Sequence, residues 1–253
     1  METDMTQLKD LVALCNALGD PDRDLVLSAE GNVSMKLDDH TMLIKASGCS
    51  LATLDESNLL SVDTNRILSL LDGTPTDHEI QETYKSALME PSEKMPSVEA
   101  ILHAVIYDLA PVQVIAHTHP TPVNMLTCSM NAGLLVEGAL YPDAIVMLGH
   151  RQVLIPYTDP GVPLAKAVRS SVVTFMDQEG VAPKVIYLAN HGLFVTADSP
   201  REALQVTEMA VKNARILHGT LSAGGPNFLP TEQVERIDKR PDETYRRQAL
   251  GFE

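Results

Sequence analysis

Apolar positions recur at helical spacing near the start of the chain: Leu8, Leu11, Val12, Cys15 and Leu18 share one face of residues 5–18. They predict an opening amphipathic helix, ended by Gly19, Asp20, Pro21 and Asp22. From Glu30 the pattern changes to two short extended runs, EGNVSMKL and TMLIKA, around a polar turn at Asp38, Asp39 and His40. This predicts a β-hairpin whose second strand closes at Ser47 and Gly48. Residues 56–71 are mixed, and residues 77–90 fit a short helix or an irregular loop. Met95, Pro96 and Ser97 read as a helix entry with Pro in the first turn. Val98, Ile101, Leu102, Val105, Ile106 and Leu109 then follow a helical period up to Ala110 and Pro111.

The run VQVIAH from Val112 is short and β-rich, and residues 121–130 read as a helix starting near the prolines. AIVMLG from Ala144 and QVLIPY from Gln152 are strand candidates. Residues 162–179 predict a helix, KVIYLANHGLFVTA from Lys184 a long strand or strand pair, and residues 200–218 a long helix ending at Gly219. The last 34 residues are loop-rich and charged. Helices alternate with strands, hairpins are present, and no linker divides the chain. The expectation is an α/β protein: a single three-layer αβα domain over residues 1–253 with a central mixed sheet.

Composition narrows the field. In 253 residues, 44% hydrophobic and 21% charged content allows a globular core. No apolar run spans a membrane. A net charge of −15 argues against a general affinity for nucleic acid or anionic lipid, though not against a small anion held by local donors. The three cysteines make neither a disulfide framework nor a zinc CxxC pair. With an acidic, polar N-terminus unlike a secretory signal, they suggest a cytoplasmic location.

Candidate chemistry begins at VIAHTHPTP, from Val114 to Pro122. Side chains two apart on a strand share a face, so His117 and His119 point one way and Thr118 the other. Two imidazoles so placed suit a divalent cation. His191 follows the apolar run VIYLAN, and Gly192 beside it lets the backbone bend or approach a ligand closely. Three histidines with one open position is the donor set of a catalytic zinc site. His40, His78, His150 and His218 are given structural roles.

Glu99 lies in the first turn of the helix expected from Pro96 and neighbours His103 four residues on. Beside a metal it would serve as a base or as a ligand. Gly31, Asn32, Val33, Ser34, Ala46, Ser47 and Gly48 lie at the hairpin strand ends, and Ser97 at a helix entry. Their hydroxyls, amide and backbone N–H groups suit phosphate or carboxylate, and turn preferences also explain them.

In order, GNVSMKL, KASG, PSVEAILHAVIY, AHTHP and NHGLFV resemble the class II aldolase/adducin family over about residues 6–218. The resemblance implies a largely antiparallel central sheet and a homotetramer with sites near subunit interfaces. It implies His117, His119 and His191 as metal ligands for Zn2+, or another divalent ion such as Mn2+ or Co2+. Glu99 would be the acid/base, and Asn32, Ser47, Gly48 and Ser97 the phosphate-binding set. Val98 departs from the family, whose fuculose-phosphate aldolases have a second serine there; Lys45 is a possible substitute donor. Tyr141 resembles a catalytic tyrosine lent to a neighbouring subunit. Asp143, Tyr245 and the tail from about residue 220 are further candidates at the active site or interface.

Three functions follow. The first is a metal-dependent aldolase cleaving a ketose phosphate or related sugar through an enediolate. The second is an epimerase, dehydratase or sugar-acid decarboxylase using the same metal. The third is a non-catalytic, adducin-like binding or assembly domain. The expected partners are a small sugar or sugar phosphate and other copies of the chain, with neither nucleic acid nor membrane.

Overall fold

The computed structural model describes residues 5–242 together with Tyr245. In chain order the elements are α1 (Met5–Leu18), β1 (Asn32–Lys36), β2 (Thr41–Lys45), β3 (Leu59–Asp63), α2 (Thr64–Leu68), α3 (Asp77–Ser86) and α4 (Ala100–Leu109). Then come β4 (Val114–Thr118), α5 (Thr121–Thr127), α6 (Leu134–Glu137), α7 (Pro142–Leu148), β5 (Val153–Ile155) and α8 (Val162–Glu179). The last are β6 (Val185–Leu188), β7 (Gly192–Ala197), α9 (Pro200–Ser222) and α10 (Thr231–Asp238).

The strands form one seven-stranded sheet in the order β3-β2-β1-β4-β7-β6-β5. Every pairing is antiparallel except β5 with β6. Helices cover both faces, so the expected mixed, largely antiparallel three-layer architecture is what the chain adopts. One face buries Leu11, Leu14, Cys15 and Leu18 of α1 with Ala203, Val206, Ala210 and Ala214 of α9. The other packs Ile101, Leu102, Val105 and Ile106 of α4 against Leu164, Val168 and Val172 of α8. Each fully buried leucine contributes roughly 1.5–3 kcal/mol relative to exposure.

Strand alternation sorts the site from the core. Val33 and Met35 of β1, like Val114 and Ala116 of β4, enter the α1/α9 layer. Asn32 and Ser34 face α4 instead. His117 lies on that same side, stacked on Phe194 with ring centroids 4.2 Å apart.

Several local expectations need correction. The run 144–149 is not a strand but most of α7, with Pro142 in its first turn. Ala144 and Leu148 enter the core beneath α9, whereas Ile145 and Val146 pack on Val234 and Ile237 of α10. Two apolar faces on one short helix made an unbroken run. The helix expected from Pro96 begins at Ala100, because Pro96 instead forms an antiparallel bridge with Ala46. The Thr76–Glu79 capping box settles residues 77–86 as helix. The mixed stretch holds β3 and α2, the latter capped by Asp63. The last long helix continues through Gly219 to Ser222, and the loop-rich C-terminal stretch contains α10.

Candidate metal centre and its carboxylate

β4 delivers His117 fully buried, one residue before the strand ends. Its Nδ1–H donates to the Leu193 carbonyl at 2.9 Å. With Nδ1 engaged in this way, Nε2 is the nitrogen left for a metal. His119 lies just past the strand, where its backbone N–H donates to the Leu25 carbonyl. Its Nδ1 faces Glu30 Oε2 at 3.7 Å, a carboxylate placed to orient the ring. His191 comes from the turn between β6 and β7 rather than from a strand end; Asn190 before it takes the left-handed conformation, φ 58°. Gly192 admits no side chain, since a Cβ there would lie 2.5 Å from the Thr118 carbonyl and 2.6 Å from the His119 ring. The close approach expected of this glycine is therefore to β4 and His119.

The three rings converge, with centroids 4.7 to 5.0 Å apart. One ligand nitrogen from each lies within 4.8 Å of the others. His117 Nε2 and His119 Nε2 are 2.9 Å apart. Glu99 Oε2 is 3.3 Å from His117 Nε2, and Oε1 is 3.1 Å from His191 Nε2. Lone pairs converging from three imidazoles and a carboxylate fit a divalent cation, which would neutralise their mutual repulsion.

Glu99 is the residue just before α4, and the surroundings hold it there. The Tyr84 hydroxyl donates to the Val98 carbonyl at 2.9 Å and accepts from the Ile101 N–H at 3.3 Å. Ser97 Oγ accepts the Glu99 N–H, and Asn32 Nδ2–H donates to Glu99 Oε2 at 2.7 Å. Burial alone would push the carboxyl up, but His117 and His191 outweigh it and hold Glu99 well below the usual carboxylate range. Burial, then repulsion from His117 and His191, pulls His119 down to about 3.

Of the candidate anion-binding residues only Ser47, Gly48 and Ser97 lie together, as a neighbouring cradle; Asn32 is instead buried against Glu99 and His103, Ser34 against His103 and Tyr107, and Val33 in the apolar core. Ser47 N–H donates to the Met95 carbonyl and Ser97 N–H to the Lys45 carbonyl, which lays residues 46–48 alongside residues 95–97. Ser47 and Gly48 are exposed, Gly48 with φ 76°. Lys45 does not reach out to replace the missing serine. Its buried ammonium donates to the carbonyls of Cys49 and Ala29, tying together the loops beside the cradle. Val98 stands exposed at the rim.

Other candidates lie elsewhere. Tyr141 packs on the α1/α9 side of the sheet, its hydroxyl donating to Met209 Sδ and Lys212 above its ring. The single chain does not bring it to the histidines. Asp143 is in the first turn of α7. Tyr245 is exposed; residues 243–244 and 246–253 of the candidate tail lie outside the described residues. His150 lies between Glu179 and Asp238, in keeping with its structural assignment. Sequence reasoning missed Tyr84, and it placed His103 beside Glu99 where Asn32 in fact bridges the two. The one signal for that bridge was a pair of polar residues, Asn32 and Ser34, two apart on an otherwise apolar strand.

Fold and site together define the class II aldolase architecture. The chain belongs to the Class II Aldolase and Adducin N-terminal domain family, which it matches over residues 9–218. It is 26% identical over 241 residues to the 3-oxo-tetronate 4-phosphate decarboxylase of Haemophilus influenzae, covering 94% of this chain and 99% of that protein. It is 29% identical over 138 residues to the methylthioribulose-1-phosphate dehydratase of Serratia proteamaculans, covering 54% and 56%. A solved L-fuculose 1-phosphate aldolase superposes with a TM-score of 0.71 at 22% identity, over 94% of this chain and 96% of that one. Among the described residues no helix is long and apolar enough to cross a membrane.

Proposed function

We propose that the protein is a divalent-metal-dependent lyase that breaks a carbon–carbon bond in a small phosphorylated sugar or sugar acid, working as a cytoplasmic homotetramer. The observation carrying this reading is the convergence of His117, His119 and His191 with Glu99 against them. These three imidazoles would hold Zn2+, or Mn2+ or Co2+ in its place. The ion supplies Lewis-acid stabilisation of negative charge developing on substrate oxygens. The convergence argues against a non-catalytic assembly role.

Within that class we propose decarboxylation of a 3-oxo sugar-acid phosphate, the reaction type named for the relative matched nearly end to end. In such a substrate the C1–C2 bond breaks as CO2 leaves. Its electron pair becomes an enediolate across C2 and C3, and a proton added at C2 yields a ketose phosphate. Glu99 is placed to relay that proton from solvent water to C2. Asn32 steadies the carboxylate, while Ser47, Gly48 and Ser97 hold the phosphate so that the breaking bond lies near the histidines. Aldol cleavage of a ketose 1-phosphate is the second reading, since it passes through the same kind of enediolate. A cavity of about 230 Å³ beside His191, lined by Tyr157, Thr158 and Asn190, favours it by giving a departing aldehyde room. Tyr141 of a neighbouring subunit would then take up the proton that the substrate hydroxyl loses as it becomes the aldehyde oxygen.

The test supplies zinc-, manganese- or cobalt-loaded protein with 3-oxo-tetronate 4-phosphate and with a panel of ketose 1-phosphates. CO2 release with formation of dihydroxyacetone phosphate is the expected result. An aldehyde product from the panel alone would select the aldolase, and no turnover of any member by metal-loaded protein would refute both readings.

A further inference from the structure

Between β1 and α4 a polar chain runs through the core, and the chemistry above uses only its first members. Ser34 and His103 are fully buried, and Asn32 and Tyr107 nearly so. A histidine there destabilises the fold unless its nitrogens are paired. Chemistry dictates how they pair. An ionised carboxylate only accepts, so Asn32 turns its amide nitrogen to Glu99. The Asn32 amide oxygen then faces His103 Nε2 at 2.5 Å, and an oxygen carrying no hydrogen is satisfied there by Nε2–H. A neutral ring protonated on Nε2 has a bare Nδ1, which accepts from the Ser34 hydroxyl at 2.6 Å. Ser34 Oγ lies 2.9 Å from the Tyr107 hydroxyl, whose hydrogen is shared between Ser34 and the Gln113 carbonyl at 3.2 Å.

We propose that His103 is a positioning residue: as its Nε2–H tautomer it locks Asn32 in the one amide orientation that donates to Glu99. The hydrogen bonds thus run in a single sense from Tyr107 to the carboxylate, and bonds so aligned strengthen one another. Burial first, then the nearby His117 ring, pulls His103 down to about 3, so the ring stays neutral where the sense of the chain requires it. Without the His103 donor, a half-turn of the amide would set the Asn32 oxygen against the Glu99 carboxylate. The inference rests on Glu99 and Asn32 acting as proposed above, but its primary readout is independent of turnover.

Neutron diffraction from crystals of the zinc-loaded, deuterium-exchanged protein reads the chain directly. The expected map has deuterium on His103 Nε2, none on Nδ1, and the Asn32 ND2 group toward Glu99. Deuterium on Nδ1, or a reversed Asn32 amide, would overturn the proposal even if the enzyme is active. Two variants extend the test. His103→Leu should lower kcat about tenfold with KM and zinc affinity within about threefold of wild type, and His103→Gln, which keeps an amide donor, should recover most of that loss. Equal kcat in His103→Leu and wild type would overturn the positioning role. Should His103→Leu not fold, the neutron map and His103→Gln decide it. Inactivity of the wild type towards every substrate tried would refute the proposed function while leaving the map to decide this inference.

Discussion

The two faces of β1 alternate residue by residue yet hold different kinds of interior. On one face Val33 and Met35 join the leucines of α1 in apolar packing. On the other, Asn32 and Ser34 join His103, Tyr107 and Glu99 in a chain of directed hydrogen bonds. An apolar contact weakens in proportion to the atoms removed. A buried polar chain fails more abruptly, because each unpaired member carries its own desolvation cost. A strand with one ordinary face and one polar face therefore marks where structure gives way to chemistry.

Substitutions can break this contrast. Glu99→Gln keeps the shape of the polar face and removes its charge. Turnover should fall by about 10³-fold while zinc remains bound, as steady-state kinetics and metal analysis would show. Met35→Ala strikes the apolar face instead. It should cost about 3 kcal/mol in urea unfolding and leave the activity of the folded fraction unchanged.

Acid sharpens the comparison. The folded chain holds His103 near 3, whereas an unfolded histidine titrates near 6.5. Between those values the unfolded state binds a proton that the folded state does not, so stability is intact above about pH 6.5 and is lost as pH falls. Metal-free protein should lose on the order of 1–2 kcal/mol by about pH 5, and His103→Leu should show a shallower decline in thermal melts. The smallest effect is expected at the cradle: Ser47→Ala should raise KM for a phosphorylated substrate about tenfold with little change in kcat.

How legible all this was depended on how local the cause was. The α1 face, the β1–β2 hairpin and the His117/His119 pair follow from spacing within a few residues. The helix carrying Ile145 and Val146 did not, because its second apolar face exists only to meet Val234 and Ile237 about ninety residues later. Nor did the start of α4, which depends on Pro96 pairing with Ala46 in another segment. At the site, the spacing of His117 and His119 showed that they share a face, but their meeting with His191 depends on sheet order, with β4 beside β7. The Asn32–His103 bridge was least legible, since its members lie 71 positions apart and are joined by two side-chain atoms.

The central claim is that His117, His119 and His191 hold one divalent cation against Glu99. Zinc titration of chelator-treated protein, followed by anomalous diffraction from the loaded crystals, tests it most directly. One zinc per chain is expected, about 2.0–2.1 Å from one nitrogen of each ring, with affinity at least about 100-fold weaker in His191→Ala. Zinc bound elsewhere, or bound equally well by His191→Ala, would contradict it.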